Sequence, residues 1–314
     1  MSYADKVFVE NMKSILESGT STEGEIVRPH WEDGTLAYTI KKFGVVNRYD
    51  LRKEFPAMTL RKTGLKSAMD EILWIYQKKS NNIKDLNSHI WDSWADKEGS
   101  IGKAYGAQIG KMHRHCILEN NDENYQDAIR YKSSFIITED GDEIGDNKKL
   151  HLYLDQIDSV LWDLNHTPFS RRIMISIWNV EELHLMNLQP CCWSCEFNVT
   201  DEGGDKLVLN MILNQRSADM LTANNWNVSQ YAILLMMIAQ VCNMEAGELV
   251  HVISDCHIYD RHVDLVKELI TREQYPAPIV KLNPDVKDFY DFKTDDLIIE
   301  DYKYGSQIKI PVAI

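Results

Sequence analysis

Apolar positions recur every three or four residues over 5–18, where Val7, Phe8, Met12, Ile15 and Leu16 share a helical face and Gly19 predicts a left-handed stop. A second stripe over about 64–78 (Leu65, Ala68, Met69, Ile72, Leu73, Tyr76) predicts a helix with Glu71 at the border of its apolar face. The pattern fades between 110 and 160, where acidic runs at 119–123 and 139–146 leave few periodic apolar positions. That span is expected to form a peripheral lobe inserted into a single domain covering 1–314. Beyond it the period shortens to two. Strands are expected at 171–178, 193–199 and 206–213, the last two forming a hairpin across Gly203-Gly204. A helix at 227–242, a strand at 248–254, a helix at 260–272 and short strands at 278–283, 296–302 and 307–312 complete the reading. The order predicts an α+β fold, a mixed sheet flanked by helices.

Composition narrows the partners. A chain of 314 residues, 44% hydrophobic with 8 Trp and 14 Tyr, has ample apolar area for a core. Its net charge of −14 would repel a polyanionic backbone, so nucleic acid is not an expected partner and any nucleotide ligand is expected to be small. The apolar run 231–239 is too short to span a bilayer and is broken by Gln240 and Asn243, so no membrane partner is expected. Six scattered cysteines and an N-terminus without a secretory pattern fit a reducing cytoplasm.

The candidate chemistry centres on Cys191, which follows Pro190 and precedes a strand. A thiol held there, with arginines near enough to favour the thiolate, would be a nucleophile, whereas the plainer reading is a buried structural cysteine. Cys191, Cys192 and Cys195 with His257 also raise a zinc site, but adjacent residues on a strand face opposite ways, and no metal is expected. The run Gln215-Arg216-Ser217-Ala218-Asp219 sets a guanidinium beside a hydroxyl, a pairing suited to a phosphate monoester, and Arg171-Arg172 offers another. Asn227 stands at a predicted helix start, where it would act as an N-cap or, through its paired donor and acceptor, read a uracil edge. His257 and Tyr259, two residues apart, could face one sugar hydroxyl, whereas the plainer reading of His257 is a satisfied core histidine.

With these residues in order the chain resembles the folate-dependent, cysteine-nucleophile thymidylate synthase family, nearly end to end outside 110–160. The resemblance rests on Phe55-Pro56-Ala57-Met58-Thr59, Glu71 to Trp74, Ile90 to Trp94, Tyr105-Gly106, Ser170-Arg171-Arg172, Pro190-Cys191, Gln215 to Asp219, Asn227, Asp255 to Tyr259 and Pro311 to Ile314. It implies reductive methylation of dUMP to dTMP, with 5,10-methylenetetrahydrofolate consumed as carbon donor and reductant and no metal. It implies a homodimer with back-to-back sheets, in which Arg171 and Arg172 cross to the partner's site. In the roles so implied Cys191, Glu71 and Tyr105 are catalytic; Arg28, Arg171, Arg172, Arg216, Ser217, Asp219, Asn227, His257 and Tyr259 bind dUMP; and Trp91, Trp94, Asp219, Ala313 and Ile314 bind folate.

The chain departs from the family pattern at Cys192, where histidine is usual, at Glu196, where glutamine is usual, at Ser254 in place of glycine, at Arg61 near the position of a lysine, and at Ala223-Asn224-Asn225-Trp226, where Gly-Val-Pro-Phe is common. A dUMP hydroxymethylase of the same fold, or a catalytically idle nucleotide- or RNA-binding relative, remains as an alternative.

Overall fold

The first helix, α1 (Tyr3–Ser18), starts where the Ser2 hydroxyl accepts the Asp5 N–H at 3.2 Å and buries Ala4, Val7, Phe8, Met12 and Ile15 along one stripe. Gly19 ends it in a different way from the expected left-handed stop. Its φ is −75°, and a side chain there would press on the Ile15 carbonyl at 2.4 Å and on Ile40, so close approach is what requires glycine.

The computed structural model describes residues 1–131, 135–138 and 149–314. After α1 come β1 (Thr20–Ser21), β2 (Thr39–Asp50) and α2 (Leu65–Ile72), which runs on into a single π-helical turn, Leu73–Gln77. A four-residue helix α3 (Gly106–Ile109) leads to β3 (Met112–Glu119), α4 (Asp122–Ala128), β4 (Phe135–Thr138) and β5 (Lys149–Asp155). Next are α5 (Gln156–His166), β6 (Met174–Ser176), β7 (Cys192–Thr200) and β8 (Val208–Asp219). The chain closes with α6 (Asn224–Val241), β9 (Glu245–Tyr259), α7 (Val263–Leu269), β10 (Ile279–Leu282) and β11 (Leu297–Glu300).

A six-stranded mixed sheet in the order β1-β2-β9-β8-β7-β6 carries the fold. β8 and β9 run parallel and the other neighbours antiparallel. The expected hairpin is present as β7-β8, and β10-β11 pair as a separate antiparallel ribbon. Where sequence texture offered few periodic positions, β3, β5 and β4 form a second sheet of three strands. Helix α5 follows it directly and is buried along residues 156–164.

Several expectations need correcting. The strand at 171–178 shrinks to β6, and 307–312 forms no strand. Helix α6 begins three residues before the expected start, and a 3₁₀ turn, Asp260–His262, precedes α7. The longest omission is β2, twelve residues that pair with β9 along almost their whole length.

Candidate active site

The parallel pair β8-β9 delivers its two C-terminal ends side by side. Ser217 lies opposite Asp255, and Asp219 opposite His257. Tyr259 follows, its ring edge-on to His257 with centroids 5.0 Å apart. Cys191 is the residue just before β7, and its carbonyl accepts the Arg216 N–H at 2.9 Å, which places the thiol beside β8.

Two further contacts define the surroundings of Cys191. Its backbone N–H donates to the Tyr105 hydroxyl at 3.2 Å. The Arg216 guanidinium lies 3.8 Å from Sγ and is held by the carbonyls of Pro190 (2.9 Å) and Gln189 (2.8 Å). Burial pushes the thiol up, and the positive charges of Arg216 and Arg28 draw it back only in part. The expected lowering by arginines is therefore present in sign, but desolvation outweighs it in the free protein. Cys192 points the other way into the core, 4% exposed, so the two sulfurs do not converge. Among the described residues no group of three His, Cys, Asp or Glu side chains is placed to hold a metal ion.

Tyr105 has φ +47°, a conformation that L residues rarely adopt. A side chain on the next residue, Gly106, would meet the Ser80 carbonyl at 2.1 Å, so the backbone at 105–106 is clamped against 79–80 from behind. The Tyr105 ring packs edge-on to Trp91 at 4.8 Å, and Trp91 in turn packs against half-buried Trp94 at 5.7 Å.

Glu71 projects from α2 one residue before its end, 5% exposed. Its Oε1 accepts from Trp91 Nε1 at 2.9 Å and its Oε2 from Trp226 Nε1 at 2.6 Å. Burial raises its carboxyl to about 7, against the pull of the two indole donors. A buried carboxyl that titrates near neutrality can both give and take a proton.

Asn227 is not the N-cap that was one of its two expected roles. The helix has already begun at Asn224, and the Asn227 amide accepts from Gln215 Nε2 at 3.2 Å and donates to Gln230 Oε1 at 3.3 Å. The Gln215 Oε1 meets fully buried His251 at 2.7 Å. Burial lowers His251 to about 3, so the ring is neutral and its Nε2–H donates to Gln215. A chain of fixed amides thus orients Asn227 from below.

Asp219 is half-buried; its Oδ1 accepts from the Leu221 and Thr222 N–H groups at 3.0 and 3.2 Å, and lies 3.6 Å from His262. His262 also meets the Pro311 carbonyl at 2.7 Å, and Ile314 exchanges two backbone bonds with His30, at 2.8 and 2.9 Å. Ala313 is half-buried beside it. His257 is held by Asp255 at 2.9 Å, itself paired with Lys41 at 2.7 Å.

The structure therefore gathers Cys191, Tyr105, Arg216, Glu71, Trp91, Trp94, Ser217, Asp219, Asn227, His257 and Tyr259 along one side of the sheet. Arg28 is exposed but close enough for its charge to act on Cys191 and Tyr259. Arg171 and Arg172 stay apart, both exposed in the turn before β6. Sequence reasoning missed Trp226, Gln230, His251 and His262 as parts of the site. Gln230 was detectable as the residue one helical turn after Asn227, whereas Trp226 and His251 offered no spacing signal toward their partners.

Fold and site together define an α+β protein whose large sheet brings a half-buried thiol, Cys191, and a buried carboxyl that titrates near neutrality, Glu71, to one site. A family model described as thymidylate synthase matches residues 6–314. Among curated relatives, the thymidylate synthase of Bacillus licheniformis is 38% identical over 318 residues, covering all of both chains. Thymidylate synthase 1 of Bacillus subtilis strain 168 is 37% identical with the same coverage. The solved structure of the thermostable thymidylate synthase A from Bacillus subtilis superposes with a TM-score of 0.82 at 37% identity, again over the whole of both chains. The chain belongs to the thymidylate synthase family.

Proposed function

We propose that this chain methylates dUMP to dTMP, with Cys191 as the nucleophile. The observation that carries the reading is the position of Cys191 Sγ, 3.8 Å from the Arg216 guanidinium, in a residue whose N–H is fixed by Tyr105. Arg216, Ser217 and Arg28 form the basic end of a nucleotide cleft, suited to a phosphate dianion through forked, charge-assisted bonds. The orienting chain His251-Gln215-Asn227 presents a carboxamide to the base. A carboxamide can match O4 and N3–H of uracil, while His257 and Tyr259 suit a ribose hydroxyl.

In this reading the Cys191 thiolate adds to C6 of the pyrimidine, and C5 becomes the carbon nucleophile. Glu71, across the cleft, moves protons at O4 and at neighbouring water. Tyr105, strained and held by the Cys191 N–H, assists removal of the C5 proton. The reduced folate, 5,10-methylenetetrahydrofolate, supplies the one-carbon group and then a hydride when bound. The side chains present fit such a cosubstrate: Trp91 and Trp94 offer an aromatic wall, and the half-buried Asp219 carboxylate suits the adjacent N–H donors of an aminopyrimidine ring. Ala313 and Ile314 would close over it.

The sheet supports a homodimer. Val46, Ile212 and Met174 are 54%, 38% and 38% exposed on the face opposite the site, an unusual set of apolar side chains to leave in water. Two copies packed on that face would let the exposed Arg171 and Arg172 of each reach the phosphate of the other. The polar span 110–160 is read as a peripheral lobe of a single domain. Six unpaired cysteines fit a reducing cytoplasm.

Incubation with dUMP and methylenetetrahydrofolate, followed by dihydrofolate absorbance and nucleotide chromatography, tests the function. Dihydrofolate formed together with dTMP is expected. Hydroxymethyl-dUMP with tetrahydrofolate would instead identify a hydroxymethylase, and no turnover a binding protein.

A further inference from the structure

The carboxylate of Glu71 is held from two directions by the same kind of donor. Trp91, on the loop after α2, binds Oε1 at 2.9 Å, and Trp226, in the first turn of α6, binds Oε2 at 2.6 Å. An indole N–H donates and cannot accept, so both contacts favour the ionised carboxylate over the protonated group. Two donors on two oxygens also fix the plane of the group, which a single donor would leave free to swing.

We infer that Trp226 is a positioning residue for Glu71, its indole N–H fixing the second carboxylate oxygen so that the orientation and charge of the proton-transferring group are set from α6 as well as from Trp91. The inference rests on the reading of Glu71 as the group that moves protons in this site. It gives a role to Trp226, which stands where Phe is common in the family pattern.

The geometry around the carboxyl is closed on every side. Asp70 precedes it on α2 and disfavours its ionisation, and the Gln230 side chain faces it from α6. Cys192, at the start of β7, and the Tyr105 hydroxyl, before α3, both lie within electrostatic range of it, and burial pushes both of those groups upward, so they stay neutral. No cation faces the carboxylate in this set. Its charge is therefore balanced by N–H dipoles alone, and loss of one of the two short bonds is expected to be felt in full.

Trp226 is half-buried, and Trp226→Phe keeps its apolar body while deleting the donor. Infrared titration of the buried carboxyl in the unliganded protein, assigned by difference from Glu71→Gln, is expected to show the midpoint in Trp226→Phe raised by about one pH unit, a tenfold weaker acid. The acidic limb of the kcat profile should follow it while KM for dUMP holds. A carboxyl titration unmoved by the substitution would overturn the role of Trp226 alone, whereas absence of turnover on dUMP by the wild-type chain would overturn the reading beneath it. Should Trp226→Phe fold poorly, the wild-type indole N–H resonance of Trp226 provides the same test. It is expected to shift with the midpoint of the carboxyl, and a resonance that stays constant through that range contradicts the inference.

Discussion

Two rows of residues cross the large sheet one position apart, and they meet opposite environments. Asn47, His251, Leu213, Cys195 and Ile175 lie side by side on five strands, and all are at most 6% exposed. Their immediate neighbours Arg48, Val250, Ile212, Glu196 and Met174 form the row on the other face, where Ile212 and Met174 are each 38% exposed and Glu196 faces solvent. Because side chains alternate along a strand, one ladder of hydrogen bonds serves both surfaces. The inner row carries helix α6 and, toward the ends of β8 and β9, the site. The outer row mixes charged and apolar side chains, and it is the face that the proposed association would cover.

The sharpest way to separate the two faces is to remove the chemistry without touching the sheet. Cys191→Ser is expected to lower kcat by roughly four orders of magnitude, because the hydroxyl is a far weaker nucleophile than the thiolate. Binding of dUMP measured by calorimetry and the sedimentation coefficient should both remain near wild type. Full activity in this variant would remove Cys191 from the mechanism.

A paired experiment sets adjacent residues of β8 against one another. Leu213→Ala, on the inner row, should destabilise the protein by about 2–5 kcal/mol in chemical denaturation through the cavity it leaves, with no change in oligomeric state at a fixed temperature below the transition. Ile212→Lys, its outer neighbour, should cost the isolated fold little and instead weaken self-association in sedimentation velocity, with activity falling as the copies separate. Equal effects of the two substitutions on stability and association would dissolve the distinction between the faces.

A smaller effect is expected from pH. The Glu71 carboxyl titrates at about 7 in the folded chain against an ordinary value of 4.5. As pH rises the unfolded chain ionises first, so ionisation favours unfolding. The penalty is absent below the ordinary value and complete above the folded one, on the order of 3 kcal/mol. Glu71→Gln, which cannot ionise, should therefore gain stability relative to wild type as pH is raised from about 4 to about 8, read from denaturant midpoints. A difference that stays constant over that interval would contradict the buried, weakly acidic carboxyl.

Much of the inner face was legible in the chain, and the reasons for the gaps are physical. Helix α1 and the β7-β8 hairpin show their period because one face of each is buried and the other wet. Strand β2 escaped because its sequence mixes Lys41 and Lys42 with Phe43 and Val46, and Gly44, at φ +71°, interrupts the alternation. Helix α5 escaped because it buries acids. Asp158 accepts from the Tyr290 hydroxyl at 2.6 Å and lies 3.8 Å from Lys79, while Asp163 pairs with Arg114, so its polar positions are interior ones. The stretch 307–312 alternates in sequence, and Ile308 and Ile310 pack on the core, but a strand needs a partner edge, and the hydrogen bonds described there are only the Pro311 carbonyl with His262 and the Gln307 amide with the Lys62 carbonyl. In the site, residue types in their order were readable, whereas Trp226 reaching Glu71 across 155 positions was not.

The central claim is that Cys191 bonds to the pyrimidine ring. Incubating the protein with 5-fluoro-dUMP and methylenetetrahydrofolate, followed by peptide mass spectrometry, tests it most directly. The account predicts a stable adduct of nucleotide and folate on the peptide that contains Cys191, absent in Cys191→Ser. An unmodified Cys191 in protein that turns over dUMP would contradict it.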